Sequence, residues 1–158
     1  MNVDNSLRDH VVALLDGGHA HATFEDAVKD LLPTLRGKRP DGLPYSAWEL
    51  VEHIRISQYD ILEFSRNASY VSPEWPKGYW PAAPVPAKAE DWDRSVAAVI
   101  ADCAAMKKLV ADPGTDLHAR IPHGTGQTIL REALLIADHN SYHTGQLVTV
   151  RRLLGAWH

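Results

Sequence analysis

Apolar positions recur three and four residues apart in several stretches of the chain, and no stretch alternates long enough to suggest a strand. The first such stretch predicts a helix over residues 3–15, with Val3, Leu7, Val11 and Leu14 on one side and Gly17 and Gly18 as its stop. A shorter helix is expected over 24–32, with Thr23 as N-cap, Asp26 three residues on, and Pro33 ending it. RGKRPDGLP then reads as a loop. The next helix opens at Ser46, with Glu49 completing a capping box, and carries Leu50, Ile54, Ser57, Ile61 and Phe64 as its inner stripe. A third long helix over 91–110 turns Val96, Val99, Cys103, Met106 and Val110 inward. The last runs from Thr128 to about Leu154 and stops at Gly155. Its inward stripe is Ile129, Ala133, Ile136, Asn140, His143, Leu147, Val150 and Leu154.

Between the second and third long helices lies SPEWPKGYWPAAPVPAKAED, where Pro73, Pro76, Pro81, Pro84 and Pro86 forbid a helix. The whole linker, residues 67–90, is long enough to run back along a bundle, so the helices it joins can lie parallel. The expected fold is all-α: a four-helix bundle, up-down-down-up, with a long Pro/Trp-rich crossover between its second and third helices. Its length of 158 residues suits a single domain, 1–158.

Charge and composition narrow the function classes. The net charge is −4, and the only basic cluster, LRGKRP, sits beside Pro and Gly, which fits a solvated loop and excludes a nucleic-acid surface. No apolar run approaches the roughly 18 residues of a membrane span. The polar start MNVDNSLRDH does not resemble a secretory leader. Cys103 stands alone, which excludes an intrachain disulfide and suits a reducing, cytoplasmic setting. Its spacing is that of a small apolar core group.

One feature does not fit a plain core. ADHNSYHTGQL puts His139 and His143 four residues apart, His143 on the inward stripe and His139 bordering it. At that spacing two imidazoles project side by side and can converge on one metal ion. EHIRIS places His53 beside Leu50, Ile54 and Ser57 on the inner face of another helix. His10, His19, His21, His118, His123 and His158 fall near helix ends, in loops or at the terminus. Two readings stand on the residues alone: three separately satisfied core imidazoles, or three ligands of one divalent metal. A buried imidazole without a partner is costly, so three on inner faces need some common satisfaction. Asn140, Gln146 and Tyr142 are near enough to orient the rings, Tyr142 equally serving as packing. Asp138 and Glu52 adjoin the histidines but should turn away as surface charges.

The segments SAWELVEHIRISQYDILEFSRN and GQTILREALLIADHNSYHTGQLVTVRRLLG, with EHI in one and DHNSYHTGQL in the other, resemble the DinB/YfiT-like family of metal-binding four-helix bundles. The resemblance implies the up-down-down-up bundle and a metal site formed by His53, His139 and His143. The cofactor would be a divalent ion, with Zn, Ni, Fe and Co equally suited to imidazole. Three kinds of function are open to such a site: a metal-dependent thiol transferase acting on a small electrophile, as similar family members are, a metal-dependent hydrolase, or a non-catalytic metal-binding or stress-response module. The first is favoured. Its partners would be a small-molecule ligand or low-molecular-weight thiol, and a homodimer is plausible from the same resemblance. Trp75, Tyr79 and Trp80 of the crossover are expected to cover part of the site or to shape a subunit interface.

Overall fold

The computed structural model describes residues 3–157; the side chain of Val3, expected inward, and His158 lie outside the described residues. The chain forms α1 (Val3–Asp16), α2 (Phe24–Val28), α3 (Pro33–Arg36), α4 (Ala47–Arg66), a 3₁₀ turn at Lys77–Tyr79, α5 (Ala89–Ala111) and α6 (Ile129–Leu153). It is an all-α protein in which four long helices pack together. α4 lies against both α5 and α6, and α1 lies against the same two. Among the described residues no helix is long and apolar enough to cross a membrane.

The starts of the long helices follow their capping residues. Ser46 Oγ accepts from the Glu49 N–H at 3.2 Å, and the Glu49 carboxylate accepts from the Ser46 N–H at 2.7 Å. The Ser46 hydroxyl also donates to Pro84 O at 2.7 Å, tying the crossover to the head of α4. Thr128 caps α6 through the Arg131 N–H.

Two of the expected elements are corrected. The helix expected over 24–32 ends at Val28, because Asp30 adopts a left-handed φ of 55°. Pro33 does not terminate a helix but begins α3, where its missing N–H has no intrahelical role. In α1 the inward residue is Leu15 rather than Leu14, which is 53% exposed.

Two helix ends are closed by buried arginines. Arg8 of α1 donates to the carbonyls of Val110, Asp112 and Thr115 at 2.7–2.9 Å, satisfying the C-terminus of α5. Arg151 of α6 donates to Asp26, Ala27, Lys29 and Ala156 at 2.8–3.2 Å, holding α2 against the bundle.

The apolar interior falls into two clusters. One joins the first half of α4 (Leu50, Val51, Ile54) to Trp92 and Val99 of α5 and to Leu147 and Val150 of α6. The other joins Leu62 of α4 to Val11, Met106, Val110, Ala133 and Ile136. Beside and between these clusters α4 and α6 face each other with polar side chains, His53 and Gln58 on one and His139, Asn140 and His143 on the other. Ile61, Phe64, Val96 and Cys103, expected inward, are only partly buried, while Leu62 and Gln58 are fully buried. The Cys103 thiol faces Leu15 O at 3.5 Å, and burial raises its pKa, so it remains a protonated packing group.

Candidate metal centre

The i, i+4 spacing on α6 brings the rings of His139 and His143 to 4.4 Å between centroids. α4 supplies His53 opposite them, 4.9 Å from His139 and 4.5 Å from His143. One ligand nitrogen from each ring lies within 4.8 Å of the others, and the cluster contains no carboxylate or thiol. His53 and His143 are buried and His139 partly so.

Each ring has a neighbour that constrains it. His53 Nδ1 lies 2.7 Å from the Tyr79 carbonyl and therefore carries the proton, which leaves the Nε2 lone pair free. Tyr79 is held in turn by its hydroxyl, which donates to Asp60 at 2.7 Å. Trp80 stacks flat on His53, 4.0 Å between centroids and 3° between planes. His143 Nδ1 lies 2.6 Å from Gln146 Oε1, and the Tyr142 ring meets His143 edge-on at 5.0 Å. His139 Nε2 lies 3.1 Å from His53 Nε2.

The separation of His53 Nε2 and His139 Nε2 suits a shared divalent ion. Two nitrogens each about 2.0–2.1 Å from an ion are separated by about 2.9 Å at a right angle and about 3.4 Å at the tetrahedral angle. The observed 3.1 Å lies between. The protonation states agree as well. Burial is the largest influence on all three rings and lowers each pKa; for His139, with His143 and His53 adding to it, the value falls to about 4. Opposing influences come from the Tyr79 carbonyl on His53, Asn140 on His139 and Gln146 on His143. All three imidazoles are therefore neutral near pH 7, the form that ligates metal.

The structure thus brings together the three histidines singled out in the sequence and leaves the others apart. His118 lies outside the cluster, His123 Nε2 contacts Phe64 O, and His21 meets Ser141. Asp138 is exposed as expected. Glu52 is not a surface charge: it is 8% exposed, accepting from Ser95 Oγ at 2.6 Å and pairing with Arg55. It does turn away from the histidines, its side chain reaching Ser95 on α5. Gln58 went unrecognised, since a lone glutamine beside the apolar stripe looks like a boundary residue. The Tyr79 contact uses a backbone oxygen, which no side-chain pattern encodes.

Residues 18–147 match the family described as the DinB superfamily. No curated protein and no solved structure matches the chain significantly.

Proposed function

Since the chain belongs to the DinB superfamily, we propose that His53, His139 and His143 hold one divalent metal ion through their Nε2 atoms and that the protein is a metal-dependent thiol transferase acting on a small electrophile. The observation that carries this reading is the composition of the cluster: three neutral imidazoles and no anionic ligand. A metal bound there would keep its full positive charge and an open position able to hold an anionic thiolate. Hydrolysis is less well served. Of the two acidic residues that adjoin the histidines in the chain, Glu52 is bonded to Ser95 and Arg55, and Asp138 is exposed to solvent, so neither is placed as a general base. Trp80 and Tyr142 supply aromatic surface beside the site on which an apolar electrophile can lie.

The accompanying fold is a single domain with helices ordered up-down-down-up. Glu52 meets Ser95 and Gln58 meets Val99, so residue numbers rise together along α4 and α5. Arg8 meets Val110 while Leu15 meets Cys103, so α1 and α5 run oppositely.

Elemental analysis of the purified protein tests the metal, with near-stoichiometric content expected in the parent and a sharp loss in His53→Ala, His139→Ala and His143→Ala. A Co-substituted sample should change its visible spectrum when glutathione, bacillithiol or cysteine is added. Full metal in His53→Ala would overturn the ligand set. A spectrum indifferent to every thiol would overturn the transferase reading.

A further inference from the structure

Three buried side-chain atoms in the described structure lack a hydrogen-bond partner, and two of them belong to neighbouring residues: His139 Nδ1 and Asn140 Oδ1. One is a ring nitrogen able to carry a proton and the other a carbonyl oxygen able to accept it. Both are buried on the same turn of α6, and each lacks the partner that the other could supply. The rest of the Asn140 amide is fixed. Its Nδ2 donates to Gln58 Oε1 at 2.6 Å, and Gln58 Nε2 donates to the Val99 carbonyl at 2.7 Å. Gln58 is fully buried, an unusual location for a glutamine unless its amide has a task.

Resting on the metal-binding reading above, we propose that Gln58 and Asn140 are positioning residues for the third ligand, together presenting Asn140 Oδ1 to His139 Nδ1–H so that Nε2 is the nitrogen offered to the metal.

The direction of every bond follows from its donors. The Val99 carbonyl only accepts, so Gln58 must present its NH₂ to α5 and its oxygen to α6. That oxygen can be satisfied only by the Asn140 NH₂, which leaves Asn140 Oδ1 facing away from Gln58. His139 can carry its single ring proton on either nitrogen. A metal at Nε2 would require that proton to sit on Nδ1, and Asn140 Oδ1, itself without a partner, would be the acceptor that holds it there. The other two ligands have comparable devices in the Tyr79 carbonyl and Gln146. With Asn140, all three rings have an acceptor at Nδ1, the outer arrangement that orients metal-bound histidines. α5, which carries no ligand, would then act on the site through Val99.

The experiment uses full-length protein with Zn for nuclear magnetic resonance and Co for affinity by competition against a chelator. In the Zn-loaded parent, long-range ¹H–¹⁵N spectra should show His139 protonated at Nδ1 and unprotonated at Nε2. Gln58→Met, of equal chain length, and Asn140→Leu should each weaken Co binding about ten- to a hundredfold, chiefly through faster release. Far-UV circular dichroism at the same temperature should show the helices retained. A purely structural role for Gln58 would lower the unfolding midpoint and leave Co affinity at the parent value, which overturns the proposal. If Gln58→Met does not fold, the parent spectrum decides: a Zn-bound His139 with its proton on Nε2 overturns the proposal. A parent that binds neither Zn nor Co would instead overturn the metal reading on which this one stands.

Discussion

Acid should unfold the metal-stripped protein earlier than its size and charge alone suggest, and His139 should account for a measurable share. Its pKa falls from 6.5 in a free chain to about 4 in the fold, because burial, His143 and His53 all oppose a charge there. Between those two values the unfolded chain binds a proton that the folded protein refuses, so stability rises with pH across the window and is lost as pH falls from about 6.5 toward 4. Below about 4 both states are protonated and the loss is complete. The full gap corresponds to a ceiling of about 3 kcal/mol, and a ring that keeps some solvent contact should realise about 2 kcal/mol of it. His53 and His143 shift in the same direction and steepen the slope. The assay is urea unfolding of chelator-treated protein, followed by circular dichroism in steps from pH 7 to pH 4, for the parent and for His139→Leu. Carboxylates titrate alike in both, so the difference isolates the imidazole. The parent curve should exceed the variant's in slope by up to about 1.4 kcal/mol per pH unit, one proton's worth. Two parallel curves would refute the burial of a neutral His139.

Arg151→Met removes the donor that serves four backbone carbonyls at α2 and the C-terminus of α6, so the urea midpoint should fall by the equivalent of about 3 kcal/mol. Trp80→Ala uncovers one face of His53 without touching its Tyr79 bond; chelator-driven metal release should quicken severalfold while the circular dichroism spectrum stays unchanged. His123→Ala should retain the parent's metal content and lose less than about 1 kcal/mol of stability, since its contact with Phe64 O is solvent-exposed.

Much of the fold was legible because the relevant forces are local. Ser46 and Thr128 begin helices where capping chemistry says they should, and the stripe through Ile129, Ala133, Ile136, Leu147 and Val150 is buried as its period requires. The three histidines were legible for the same reason, being polar residues on apolar faces. Leu14 and Leu15 show where periodicity loses resolution: near a helix end the core direction is set by what packs there, and Arg8 and Cys103 draw α1 against α5 with Leu15 inward. Asp30 and Pro33 were misread because a left-handed residue and a helix-starting proline both depend on tertiary packing around Leu31. Glu52 was misjudged and Gln58 left without a role because their partners, Ser95 and Val99, lie about forty residues away, beyond the range of any local pattern.

His53 and His139 stand 86 residues apart in the chain. An ion gripping both would therefore be a cross-link, and the loop it closes contains the crossover, all of α5 and the segment leading into α6. α1, α2 and α3 lie outside that loop. Closing so long a loop restricts the unfolded chain considerably, and it does so for one part of the molecule only. Hydrogen exchange should then divide the bundle into two cooperative units on metal loading. Amides of α5 would slow together with those of α4 and α6, although α5 contributes no ligand, while amides of α1 would gain only what its packing against α5 passes on. A helix with no hand on the metal would be among those most protected by it.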